Sequence, residues 1–214
     1  MRGLLGSFCE HIEDPRSSVE PVFVSGHKLP AGYLDLLRIA NGFVSSRKTF
    51  RLFGIDTKVP ALDLRSWNDS PWVAEYGELA ANLVFIAENV FGDQYGLRFW
   101  DGAERAPVLV KFWCEGGKTE VIDVESFDTW LASSVLCETP TALDWPLAMA
   151  AFAQGLAPSV EEHLSFSLPL VVGGENELSN LEVIDRVFHL HLLGQLSQKN
   201  RGLPDGARID RFRS

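Results

Sequence analysis

Residues 82–114, NLVFIAENVFGDQYGLRFWDGAERAPVLVKFWC, constrain this chain more than any other segment. An apolar run, a Gly92-Asp93 dipeptide, an aromatic-rich run, a polar loop at Asp101-Gly102 and a second apolar run follow one another closely. Gly-Asp and Asp-Gly are turn formers, so the runs between them read as strands. Strands are predicted over Leu83–Ala87, Gly96–Trp100 and Val108–Trp113, with a fourth over Thr119–Ile122 after Gly116-Gly117. Short turns between consecutive strands require antiparallel pairing, and hence a meander. The segment holds no nucleophile beside a base and no metal-ligand cluster. Its pattern suits the central hairpin of a binding domain.

The 214 residues are 46% hydrophobic, enough for one sizeable core. The formal net charge of -10 disfavours nucleic acid, whose phosphates an acidic surface repels, and favours basic partners through long-range steering. Acidity also serves plain solubility. Cys9, Cys114 and Cys137 are an odd count without a C-x-x-C, which points to reduced thiols and away from zinc or a redox dithiol. The start, MRGLLGSFCEHIEDP, turns acidic before a long apolar run develops and does not read as a signal peptide. No stretch approaches the about 18 apolar residues of a membrane span. The expectation is a cytoplasmic protein with no membrane partner.

Around the meander the pattern alternates between helix and strand. Gly3–Ile12 suits a short amphipathic helix and Val22–Val24 a short strand. Pro30 opens a helix carrying Tyr33, Leu34, Leu37 and Ala40 on one face, closed by Asn41-Gly42. Phe50–Ile55 reads as a strand, Asp63–Trp67 as a helical turn, and Val73–Leu79 as a short helix. Ser126 caps a helix with Phe127, Trp130 and Leu131 along one stripe. Composition shifts after Thr139-Pro140, which separates a 1–140 core from an α-rich extension, 141–214, expected to pack on the same core. In the extension, Leu143–Gln154 is a helix, and Ser159 with Glu162 forms a capping box for another helix ending near Leu164. Leu168–Val172 and Asn180–Ile184 are extended. Asp185 caps a helix to about Lys199, with Phe188, Leu192 and Leu196 on a shared face.

Few residues suggest catalysis. Asp93 in FGDQ invites an acid–base reading but has no evident partner, and a turn-shaping role is favoured. Gly173-Gly174-Glu175-Asn176 lacks the Lys and Ser/Thr of a phosphate loop. His189 and His191, two apart on a helix, face different ways and do not share a metal. Cys114 or Cys137 with His163 has no local support as a nucleophile pair. No cofactor, metal or catalytic residue is expected.

Aromatic residues crowd the middle third. Phe99 and Trp100, like Phe112 and Trp113, are adjacent on strands and point to opposite faces. Either both sheet faces are covered or one aromatic row is exposed. Exposed aromatics beside acids suit a protein interface. Candidate contacts are Asp69, Glu75, Glu78, Asp101 and Glu104, with Trp72 and Trp100 as anchors.

Taken in order, LPAGYLDLLRIANG, FRLFG, DLRSWN, LVFIAENVFGDQYGLRF and VESFDTWL resemble the SUKH superfamily, the Smi–Knr type of domain, over Leu29 to about Leu136. The tail from Ser167 resembles extensions on bacterial members found in toxin gene clusters. The resemblance implies an α+β fold with a mixed, largely antiparallel sheet packed by helices, and a non-enzymatic role. It implies an immunity protein that binds and neutralises a cognate polymorphic toxin, often a nuclease or deaminase. A regulatory or scaffold protein of the same fold is the alternative. The oligomeric state, monomer or dimer, stays open.

Overall fold

The computed structural model describes residues 1–17, 20–100, 105–142 and 144–201. In chain order the elements begin with α1 (Arg2–Phe8), β1 (Cys9–Ile12), β2 (Phe23–Val24), β3 (His27–Lys28), α2 (Ala31–Leu37), β4 (Phe43–Ser45) and β5 (Phe50–Leu52). Next come α3 (Leu64–Asn68), α4 (Pro71–Tyr76), β6 (Leu83–Asn89), β7 (Gln94–Arg98), β8 (Val108–Trp113), β9 (Lys118–Val121) and α5 (Phe127–Ser134). The C-terminal part contributes α6 (Trp145–Ala153), β10 (Glu162–Phe166), β11 (Leu181–Asp185) and α7 (Arg186–Asn200).

Seven strands form one sheet in the order β1-β4-β5-β6-β7-β8-β9, with antiparallel pairing throughout. An isolated parallel bridge joins Gly54 and Asp63 at its margin. The architecture is α+β, with helices on both faces of the sheet. Strands β6 to β9 are the meander read from the Gly-Asp and Gly-Gly turns. Register sets Val84 opposite Leu97, Leu97 opposite Leu109, and Val110 opposite Val121. Strand β6 is buried along its whole length, which requires cover on both sides.

On one face, Phe50 and Tyr95 pack against Trp130 of α5, at ring-centroid distances of 5.8 and 5.2 Å. Tyr33 of α2 meets Phe127 of α5 beside them. On the other face, Trp72 and Tyr76 of α4 pack on Phe85 and Phe112. Helix α7 then lies along α4. Gly194 permits that approach, because a Cβ there would stand 2.7 Å from Glu75 Cβ. Leu190, Leu193 and Leu196 of α7 join the main core, and a smaller cluster gathers Val90, Phe91, Ala148, Ala151, Leu164 and Leu181. Large aromatics buried this way dominate core energetics, at about 3–5 kcal/mol each if cut to Ala.

Several local expectations change. The N-terminal helix stops at Phe8, and Cys9–Ile12 instead pairs with β4 as an edge strand. Ser159 N donates to Glu162 Oε2 at 2.8 Å, as a capping box would, yet the chain continues as β10. Pairing with β11 and the Leu164 N–H to Val90 carbonyl bond, 2.8 Å, override the local signal. Leu170–Val172 is a 3-10 turn, not a strand. On α7, Phe188 is 56% exposed and Leu192 also faces solvent, whereas His189, Leu190, Leu193, Gly194, Leu196 and Ser197 are buried.

Candidate functional site

Of the surface residues picked from sequence, five lie among the described residues. Asp69 is exposed at the end of α3. Trp72 is fully buried, T-stacked on Tyr76 and tilted on Phe85, so it is a core residue and not a partner anchor. Glu75 pairs with His191 of α7 at 3.2 Å, and Glu78 with Arg201 at 2.6 Å. These two carboxylates therefore belong to the α4–α7 seam. Trp100 is 36% exposed, with the Arg105 guanidinium 4.1 Å over its ring. Asp101 and Glu104 lie outside the described residues.

What joins the two parts of the chain is a buried cluster around Glu88, which the sheet supplies from the end of β6. Glu88 Oε1 accepts from Arg51 Nη1 at 3.2 Å and from Arg186 Nη1 at 2.8 Å. Its Oε2 accepts from Gln94 Nε2 and His163 Nε2, both at 3.2 Å. Burial alone would raise the Glu88 carboxyl, but Arg186, His163 and Arg51 outweigh it and hold the group well below the usual carboxylate range. Both guanidiniums extend the clasp. Arg186 Nη2 donates to the Ala61 carbonyl at 2.7 Å and the group stacks over Trp67 at 4.2 Å. Arg51 Nη2 donates to the carbonyls of Ser159 and Glu162.

The carboxylate also fixes the histidine tautomers. An ionised Glu88 only accepts, so His163 Nε2 carries the proton and its Nδ1 is an acceptor. His189 Nδ1 lies 3.2 Å away and must then be the donor, which leaves His189 Nε2 an acceptor. That atom is buried without a partner among the described residues. Burial lowers the pKa of both rings, and His163 lowers His189 further, so both stay neutral. The FGDQ turn fits against this pair. Gly92 has φ +89, and a Cβ on it would stand 3.0 Å from His163 Nδ1 and 3.1 Å from His189 Nδ1.

Asp93 closes the turn. It pairs with Lys111 at 2.9 Å and accepts from Asn89 Nδ2 and Cys114 N, both at 3.3 Å. The Cys114 thiol contacts the Phe91 carbonyl and Asp93, and burial pushes its pKa well up. A neutral, enclosed thiol is a poor nucleophile. Among the described residues, no group of three or more His, Cys, Asp or Glu could hold a metal. His189 and His191 point apart, His191 bonding Gln195 and Glu75 on the outside. The arrangement clamps the chain together.

The surface offers a different feature. A cleft of about 570 Å³ lies between α2, the start of β8, the end of β9 and the start of α5. Leu36, Ile39, Leu97, Leu109, Val121 and Phe127 give it an apolar lining. Asp35, Asp123, Glu125 and Asp128 also line it and are exposed. Ser126 caps α5 between them, its side chain accepting from Thr129 N at 3.1 Å. The signal in the sequence is the run Asp123-Val-Glu-Ser-Phe-Asp128, where acids and apolar residues alternate.

A seven-stranded antiparallel sheet with helices on both faces, tied together by the buried clasp, has the SUKH plan. The SMI1 / KNR4 family (SUKH-1) matches residues 23–133, and the chain belongs to that family. Residues 123–197 match a second family, described as T6SS immunity protein Tdi1, C-terminal. The pair of matches marks the chain as an immunity-protein-like member of the SUKH group. Comparison with curated proteins gave no match. Among solved structures, the crystal structure of Atu4351 from Agrobacterium tumefaciens is similar, with a TM-score of 0.51 and 14% identity. It covers 91% of this chain and 89% of its own, a likeness of fold. Among the described residues, no helix is long and apolar enough to cross a membrane.

Proposed function

We propose that this chain is a non-enzymatic immunity protein that neutralises a cognate toxin by stoichiometric binding in the cytoplasm. The observation that carries the reading is the succession of the two family matches, SMI1 / KNR4 over 23–133 and T6SS immunity protein C-terminal over 123–197. The buried Glu88 cluster supports it, because residues from both matched segments share one carboxylate and form a single binding body. The polar groups at the FGDQ turn hold one another in place and leave none free to act on a substrate. The net charge of -10 suits a toxin that is basic where it meets nucleic acid, a nuclease or a deaminase.

The test is co-expression with a panel of T6SS toxin domains, one at a time, in a sensitive bacterial host. Restored growth and copurification of the two proteins in equal amounts are expected. Failure to restore growth, with the chain folded and expressed, would refute the proposal.

A further inference from the structure

The acid-lined cleft carries a more specific assignment. We infer that it takes an extended polypeptide segment of the partner bearing Lys or Arg beside an apolar side chain. This rests on the reading of the chain as a protein-binding module, and does not depend on which toxin is bound.

Three observations point to that occupant. First, the lining is apolar, with Leu36, Ile39, Leu97, Leu109 and Phe127 gathered on it. A volume of about 570 Å³ suits a few side chains of a partner and not a whole helix. Second, the charge is of one sign. No Lys or Arg is among the residues lining the cleft. Of the four acids, Asp35 pairs with Arg38, whereas Asp123, Glu125 and Asp128 have no cationic partner among the described residues. Such a field attracts a cation and repels phosphate or another acidic surface. Third, β9 is the outer strand of the sheet, and its last residue, Val121, lines the cleft. The outer edge of a sheet leaves main-chain donors and acceptors open to an extended segment.

The experiment uses the whole chain and a fluorescein-labelled probe, Lys-Val-Lys-Leu-Arg-Val-Lys-Leu, followed by anisotropy at low and high salt. Its charge-reversed counterpart, with Glu and Asp for Lys and Arg, is the control. Amide shifts in NMR locate the footprint. The expected result is binding of the basic probe alone, weakened by salt, with shifts at Val121, Ile122 and Phe127. The variant Asp123→Asn/Glu125→Gln/Asp128→Asn should lose about tenfold or more in affinity. Glu75→Gln/Glu78→Gln, on the opposite face of the sheet, should change it less than about twofold. An unchanged urea midpoint for the triple variant guards against an effect of folding alone.

Equal affinity for both probes, a footprint elsewhere, or an unchanged triple variant would overturn the assignment. So would a dimer whose contacts protect Val121 and Phe127, since the cleft would then belong to a second copy. Toxin protection by a chain that ignores the probe would sink the cleft and spare the immunity reading. Probe binding at the cleft by a chain that gives no protection would do the reverse.

Discussion

Glu88 and Arg186 are 98 residues apart in the chain, and their side chains meet at 2.8 Å in a fully buried contact. That contact fastens the start of α7 to the centre of the sheet. Buried ion pairs rarely add much net stability, because the desolvation of each charge offsets the attraction. Their effect is selective. Once Arg51 and Arg186 are inside, only a carboxylate at position 88 can accompany them without large cost.

Replacing Glu88 with Gln should therefore be severe. Arg51 would lose its paired carboxylate while remaining buried, and Arg186 would keep only the longer contact of its Nε with Glu161 at 3.4 Å, at a cost of about 3–5 kcal/mol. Urea unfolding monitored by tryptophan fluorescence measures it. A loss below about 1 kcal/mol would mean that the cluster is hydrated in solution.

Stability should fall on mild acidification. Burial lowers the pKa of His163 and His189 in the folded chain, while the unfolded chain titrates near about 6.5. Below that value the unfolded state binds protons that the folded state refuses. Stability then drops by up to about 1.4 kcal/mol per pH unit for each histidine, until the folded values are reached. Glu88 works in a lower window. Its folded pKa is depressed, so its contribution is complete above about 4.3 and is lost as pH falls towards the folded value. Urea midpoints between about pH 7.5 and about pH 5.5 should thus fall in the wild type and fall about half as steeply in His189→Leu, where His163 alone remains. A flat wild-type profile would contradict the buried, neutral pair.

Gly92→Ala should cost more than Gly155→Ala. Both glycines have positive φ, +89 and +84, where an L side chain is strained by about 1–2 kcal/mol. At Gly155 the new methyl meets open space, whereas at Gly92 it meets the two imidazoles. Equal losses in thermal unfolding would show that the turn can move away from His163 and His189.

The meander was legible because its turns use residues with one dominant conformational meaning, Gly92-Asp93 and Gly116-Gly117. Side-chain caps were legible for the same reason: Ser126 and Asp185 accept from the backbone three residues on. Ser159 and Glu162 also interact locally, and still the segment is a strand. The partner that decides it, Leu181–Asp185, is distant in sequence, and no local rule contains it. Helix α7 misleads for a different reason. Its buried side carries Arg186, His189 and Ser197 beside Leu190, Leu193 and Leu196, and its open side carries Phe188 and Leu192, so two apolar stripes compete and the polar residues of the buried side conceal the right one. The Glu88 cluster draws on residues 51, 88, 94, 163 and 186, which no spacing relates. Trp72 reads as a binding anchor because large aromatics suit interfaces and cores alike, and only burial separates the two.

Removing the charges of Glu75 and Glu78 should do little. Their carboxylates meet His191 and Arg201 at the surface, and exposed pairs contribute about 0–1 kcal/mol. Glu75→Gln/Glu78→Gln should keep both its melting temperature and its protection against toxin. Loss of protection with unchanged stability would move the binding face to the α4–α7 seam.

The most direct test of the central claim is a titration of purified toxin activity with this chain. Stoichiometric binding predicts a linear fall to zero at one equivalent, complete on mixing and reversed when the complex is dissociated. Progressive, time-dependent inactivation by substoichiometric amounts would contradict it and mark the chain as an enzyme acting on the toxin.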